Sequence, residues 1–316
     1  MYNKDNKTKG VDLVDTILRL NGITKKYKKA TVVDSFSLTA KRGQICGLIG
    51  PNGAGKTTIM KIMAGLTLQT SGELEFFGNK DNLDEERKRM SFMIESPVID
   101  PLMTARENME YVRTVRGIAD KNKTDEILKL VGLSDTGKKI AKNFSLGMKQ
   151  RLGIGMSLIT SPEFMVLDEP VNGLDPEGIV EVRNLLKKLA EEQNVTILIS
   201  SHLLSELSEL CTDFTIINHG KLIESFSAEE LMIKCKSRIS IKTDDINKTA
   251  AILEDKLGIS EYKVIHNDEI HLYEMLDKPA TVSRTIFENG LNITKFVTEG
   301  ESLEEYYLSK VGDVNE

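Results

Sequence analysis

The chain has 316 residues, 40% of them hydrophobic and 28% charged, with a formal net charge of −6, which gives room for two domains and a sizeable buried core. That acidic balance excludes a general nucleic-acid binder, whose electrostatic footprint is a strongly basic domain, so no nucleic-acid partner is expected. The opening MYNKDNKTKG lacks the apolar core of a signal peptide, and no apolar run approaches the roughly 18 residues that span a bilayer, so a cytosolic chain is expected.

After a polar tail over residues 1–16, the stretch 17–226 alternates apolar strand-like runs with helical patterns, the signature of an α/β sheet with crossover helices. Strands are predicted at Gln44–Gly50, Glu163–Glu169, Val195–Ser201 and Phe214–Gly220, and three of these are nearly all apolar, as strands covered on both faces are. Between residues 89 and 160 the pattern turns mostly helical, which predicts an inserted helical lobe. From 237 to 311 the strands become shorter and alternate, at Arg238–Thr243, Tyr262–His266 and Glu269–Tyr273. A stripe of Ile246, Ala250, Leu253 and Leu257 predicts one helix, Val282–Gly290 a second, Asn292–Val297 a strand, and a final helix follows. That order suits a small ferredoxin-like α+β domain. Cys46, Cys211 and Cys235 are far apart and in no metal-ligand spacing, so they read as small fillers in a reducing compartment.

The strongest motif is a phosphate loop formed by Gly50, Pro51, Asn52, Gly53, Ala54, Gly55, Lys56, Thr57 and Thr58, placed between an apolar strand and a helix with a stripe of Ile59, Met63 and Leu66. Glycines let backbone N–H groups converge on phosphate oxygens, while the helix N-terminus supplies partial positive charge. Lys56 would reach the β- and γ-phosphates, and the Thr57 hydroxyl would bind Mg²⁺. This loop alone does not separate a GTPase, a kinase and a transport ATPase.

The remaining motifs resemble the ABC ATPase family. The run FMVL into Asp168 and Glu169 looks like Walker B, which implies Asp168 at Mg²⁺ and Glu169 polarising the attacking water. FSLGMKQRL, from Phe144 to Leu152, resembles the family signature, with Ser145 able to cap the following helix and Gly147 completing an anion site. The resemblance implies that Ser145 and Gly147 serve the nucleotide of a second subunit, so two chains would close head to tail over two ATP. Leu146 stands where the commonest signature has glycine and Met148 where it has glutamine, departures that bear on catalytic rate. NGLDP looks like the D-loop, with Asp175 at the dimer interface. His202 matches the switch histidine, and Tyr27 the aromatic that stacks on adenine. The lysines flanking Tyr27 read as a solvated face.

Most members carry a glutamine in the loop between the lobes, where it touches Mg²⁺ and the attacking water. Here that position is Glu95. This resembles the bacitracin and lantibiotic (gallidermin-type) branch, which the FSLGMKQ signature and the closing stretch ESLEEYYLSKVG also fit. The resemblance covers the ATPase portion, about two-thirds of the chain. It implies an ATP-hydrolysing subunit on the inner face of the membrane, docked to separate permease subunits through the loop from Glu95 to Asn108. Two alternatives stay open: an exporter ATPase for another drug or lipid-like cargo, and a soluble ABC ATPase outside transport.

Overall fold

The computed structural model describes residues 15–28, 30–202, 204–234, 238–265, 268–300 and 302–312. Most of the polar N-terminal tail, Lys29, Cys235, His266 and Glu301 lie outside the described residues. The chain divides into two units, one through Ala228 and one from Glu229.

The first unit opens on the hairpin β1 (Thr16–Tyr27) and β2 (Ala30–Lys41), followed by β3 (Ile45–Ile49), α1 (Lys56–Met63) and β4 (Ser71–Phe76). β1 pairs antiparallel with β2 on one side and β4 on the other. Its register with β2 shifts at several points, and such bulges erase the two-residue alternation by which a strand is recognised in sequence. Accordingly, none of the strands predicted from the sequence falls in this sheet.

There follow α2 (Leu83–Arg87), β5 (Met90–Met93), α3 (Ala105–Val115), α4 (Asn122–Leu130) and α5 (Leu146–Leu158). The unit continues with β6 (Phe164–Asp168), α6 (Pro176–Gln193), β7 (Thr196–Ser201), α7 (Leu204–Leu210), β8 (Asp213–Asn218) and β9 (Lys221–Ser227). The second sheet has the order β5-β6-β7-β3-β8-β9, parallel except for the antiparallel edge strand β9. Every residue of β3, β6 and β7 is buried, which explains their largely apolar sequences. One expectation is corrected: the helical lobe begins after Met93, because Met90–Met93 is a strand beside β6. Four apolar residues are too few for periodicity to tell strand from helix.

The buried face of α1 contributes Ile59, Met60, Ile62 and Met63 to a core shared with Phe36 and Phe76 of the antiparallel sheet and Leu48 and Val166 of the parallel one. Burying each such side chain stabilises by about 1.5–3 kcal/mol, which fixes α1 and the loop ahead of it. Leu66, assigned to the same stripe from sequence, lies beyond the end of α1 and is exposed.

The second unit carries most of α8 (Ala228–Lys234), then β10 (Arg238–Thr243), α9 (Ile246–Leu257), β11 (Tyr262–Ile265), β12 (Glu269–Leu272), α10 (Pro279–Glu288), β13 (Ile293–Glu299) and α11 (Leu303–Gly312). Its antiparallel sheet has the order β11-β12-β10-β13, the split βαβ arrangement of a ferredoxin-like domain. Ile239, Ile241, Ile270 and Leu272 on one sheet face pack with Leu253, Val282 and Ile286 of the two helices.

Candidate functional site

β3, β7 and β6 are neighbours in the parallel sheet, so the segments leaving their carboxyl ends converge, as ligand sites in open α/β sheets do. The phosphate loop follows β3. A Cβ on Gly50 would stand 2.3 Å from the Ile217 carbonyl oxygen, so only glycine lets the loop turn there. Gly220, which the sequence reading passed over, fixes the loop from the other side. Its N–H donates to the Ala54 carbonyl at 2.9 Å, and its carbonyl accepts from the Asp34 N–H at 2.8 Å.

The side chains assemble in one network. Lys56, buried, donates to the Gly50 carbonyl at 2.7 Å and stands 3.6 Å from a Glu169 oxygen. The Thr57 hydroxyl donates to Asp168 at 2.8 Å, and the Ser200 hydroxyl donates to the other Asp168 oxygen at 2.6 Å. Ser200 is the direct register partner of Asp168 across β6 and β7, which is why it reaches. Its own oxygen accepts from the Glu169 N–H at 2.9 Å. Glu169 sits at φ 50, a left-handed conformation unusual for a residue with a side chain, and its second oxygen meets His202 Nδ1 at 2.7 Å. A cavity of about 240 Å³ lies against this network, lined by Lys56, Thr57, Thr58, Glu169 and His202 together with Pro51, Asn52, Gly53 and Gly55. Val32 and Asn172 also line it. No motif pointed to Val32 or Ser200, each of which acts through its place in the fold; Asn172 opens the NGLDP stretch, where only Asp175 was singled out.

Thr57 and Asp168 present a hydroxyl and a buried carboxylate oxygen side by side, a hard oxygen set of the kind that suits Mg²⁺.

Glu95 does not line this cavity. It follows β5 at φ 70, and its carboxylate pairs with the Lys61 ammonium at 2.6 Å. The hydrogen bond from Lys61 holds the Glu95 carboxyl below its ordinary pKa, and the same bond raises that of Lys61. Tyr27 closes β1 at the hairpin, about half exposed, with the Lys25 ammonium 4.7 Å from its ring centre. Ser145 caps α5, accepting from the Met148 N–H at 3.2 Å, and Asp175 caps α6, accepting from the Gly178 N–H at 3.2 Å. Gly147 lies close to Gly178, and Leu146 reaches over Gly173, so signature and D-loop pack together, and neither Ser145 nor Gly147 lines the phosphate-loop cavity. A separate groove of about 1100 Å³ runs along residues 90–103, α3 and α5, with Leu66, Val98, Leu102 and Tyr111 exposed around it.

Burial pushes the Cys46 and Cys211 thiols up, which leaves them inert. In the second unit, ligand atoms of Glu269, His271 and Glu299 lie within 4.8 Å of one another. Lys295 at 2.9 Å and Lys242 at 3.3 Å already neutralise Glu269, so this is a charge network rather than a cation site.

A family model described as ABC transporter matches residues 33–172. The bacitracin transport ATP-binding protein BcrA of Bacillus licheniformis is 39% identical over 301 residues, covering 95% of this chain and 98% of its own length. The chain belongs to the ABC transporter ATP-binding proteins. Likeness to this ABC relative extends well past Glu229 into the second unit, further than the signature motifs reach. The lantibiotic transport ATP-binding protein SrtF of Streptococcus pyogenes is 42% identical over 207 residues, 66% of this chain and 89% of its own. Among solved ABC cassettes, a dimer in a post-hydrolysis state with ADP and Pi matches 67% of this chain and 99% of its own at TM-score 0.59 and 25% identity. No helix among the described residues is long and apolar enough to cross a membrane.

Proposed function

We propose that this chain is the ATP-hydrolysing subunit of an ABC transporter that exports, or gives resistance to, a peptide antibiotic of the bacitracin or lantibiotic type. The observation that carries hydrolysis is the placement of Glu169, 2.7 Å from His202 and 3.6 Å from Lys56, on the wall of the phosphate-loop cavity. Glu169 takes the proton of the attacking water, His202 holds the Glu169 carboxylate in position, and Lys56 with the loop N–H groups holds the phosphates. Thr57 and Asp168 would hold Mg²⁺, with Glu95 reaching it only after leaving Lys61; bound there, the ion neutralises phosphate charge. Tyr27 stacks on adenine.

Ser145 and Gly147 complete the site of a second copy in a head-to-tail dimer, with Asp175 at its interface. Neither Ser145 nor Gly147 lines the chain's own cavity, which supports that reading. Since no helix of the described residues spans a membrane, the transport path belongs to a separate permease, and the chain works at the inner membrane face. The exposed apolar residues around the groove at Val98 and Leu102 support docking there. Full-length likeness to a bacitracin transport protein supports the cargo class. The test is co-expression with the neighbouring membrane proteins. Survival in bacitracin or a lantibiotic is expected to rise with the wild-type chain and not with Lys56→Ala; unchanged survival with both peptide classes refutes the cargo.

A further inference from the structure

Thr57 and Lys61 are one helical turn apart on α1 and therefore share a face. Thr57 points at Asp168 at 2.8 Å, and from the next turn Lys61 reaches Glu95 at 2.6 Å. Glu95 leaves β5 with φ 70, a direction that costs a residue with a Cβ, so its placement beside α1 is held by something other than backbone preference. At the phosphate-loop cavity Lys56 faces Glu169, and outside it Lys61 faces Glu95. A glutamate at this position puts one negative charge next to the turn of α1 that follows Thr57, which a glutamine would not.

Resting on the ATPase reading above, we propose that Lys61 is a positioning residue of the nucleotide site: its ammonium neutralises Glu95 and holds the Glu95 loop against α1. Held there, outside the phosphate-loop cavity, the carboxylate adds no net charge to the field at the phosphates. Release of Glu95 from Lys61 and its movement toward the nucleotide are one event, so the pair also ties the loop's position to α1 and the phosphate loop it follows. Lys61 touches neither water nor phosphate in this scheme and acts through Glu95.

The test uses the purified full chain as wild type, Lys61→Met, Lys61→Arg, Glu95→Gln and the double variant Lys61→Met/Glu95→Gln. MgATP turnover gives kcat and KM, and a fluorescent ATP analogue gives a dissociation constant. Lys61→Met is expected to raise both KM and that constant about tenfold, as an uncompensated charge near the phosphates would, with kcat changed less than about threefold. Lys61→Arg restores both. In the Glu95→Gln background the same substitution is expected to change KM less than about twofold, because the charge to be compensated is gone. An equal loss in both backgrounds overturns the proposal and makes Lys61 a structural part of α1. If Lys61→Met melts early, Lys61→Gln carries the same comparison. A wild type that turns over MgATP with no Lys61–Glu95 coupling overturns this proposal alone; one that neither binds the analogue nor turns over overturns the ATPase reading and this proposal with it.

Discussion

The Glu169 carboxylate meets the His202 ring at 2.7 Å while its other oxygen lies 3.6 Å from the Lys56 ammonium, so one side chain links the ends of β6 and β7 to the phosphate loop. Ser200 adds a backbone anchor by accepting from the Glu169 N–H, which supports the left-handed φ of 50. Glu169→Gln keeps the shape and much of this hydrogen bonding while removing the base. It is expected to bind ATP as the wild type does and to lose about 10²- to 10⁴-fold in turnover, the usual reach of a general base. Phosphate release over many turnovers measures this, and turnover close to wild type refutes the assignment.

A second expectation follows from Ser145 and Gly147 lying outside the chain's own cavity. The chain alone is expected to be largely monomeric without nucleotide and to dimerise with MgATP in the Glu169→Gln background. Ser145→Arg removes the α5 cap and puts a bulky cation at the interface, so it should abolish that dimer while leaving ATP binding to the monomer intact. Light scattering reads both outcomes; a dimer insensitive to ATP and to Ser145→Arg contradicts the head-to-tail arrangement.

Gly220 is the third test. At φ 76, with a Cβ position 2.4 Å from the Val32 carbonyl oxygen, it admits no side chain without moving the β1–β2 hairpin or the phosphate loop. Gly220→Ala is expected to cost about 2–4 kcal/mol of stability, as substitutions at strained and crowded backbone sites do. It should also weaken ATP binding, because the backbone shift that relieves the clash pulls the residue 220 N–H away from the Ala54 carbonyl it donates to. Thermal melting beside nucleotide titration checks both.

What the sequence reveals here, and what it hides, follows from how each feature is encoded. The phosphate loop and the three fully buried strands β3, β6 and β7 are legible because local composition specifies them, through glycines at fixed spacing and largely apolar runs. The β1–β2–β4 sheet is hidden because its bulges destroy alternation, and β5 because it is four residues long. Ser200, Gly220 and Lys61 are hidden for another reason. Each owes its place to a neighbour remote in sequence: Asp168 across the sheet, Val32 on the hairpin, Glu95 on the loop. Glu95 itself was legible only as a departure from a resemblance, and nothing local announced its partner.

In the second unit, Glu269 gives a pH test. Hydrogen bonds from Ser240 above all, with Lys295, Lys242 and His271, outweigh burial and pull its carboxyl from 4.5 down to about 2. The folded unit therefore keeps the anion while the unfolded chain takes up its proton first as pH falls. The contribution is complete above the unfolded value near 4.5, declines below it, and is lost as pH falls through about 2. Glu269→Gln is expected to destabilise the unit by about 1.5 kcal/mol at pH 7, in the range for hydrogen bonds to charged groups, and by progressively less below pH 4.5. Melting of both proteins from pH 7 to pH 3 measures the difference, and a constant gap would mean that the carboxylate's charge is not what matters.

Glu95→Gln separates hydrolysis from coupling. Glu95 lies outside the cavity that holds Glu169 and His202, so losing its charge removes no group from the proposed proton transfer. Its charge is already matched by Lys61, so losing it also changes the field at the phosphates little, and an amide oxygen can still accept from the Lys61 ammonium. MgATP binding and basal turnover should therefore stay within about tenfold of wild type, a factor that corresponds to a small change in barrier. The loop that Glu95 begins also lines the groove at Val98 and Leu102, where the permease is proposed to dock. A weakened tie between this loop and α1 should therefore appear as lost transport: antibiotic survival in cells carrying the permease is expected to fall much further than turnover. ATPase rates of the reconstituted complex beside survival, for wild type, Glu95→Gln and Glu95→Ala, decide it. If Glu95→Gln abolishes turnover as thoroughly as Glu169→Gln, Glu95 belongs to the hydrolytic chemistry. If neither measurement moves, the carboxylate has no part in coupling, and the peptide-antibiotic reading rests on the likeness to its relatives alone.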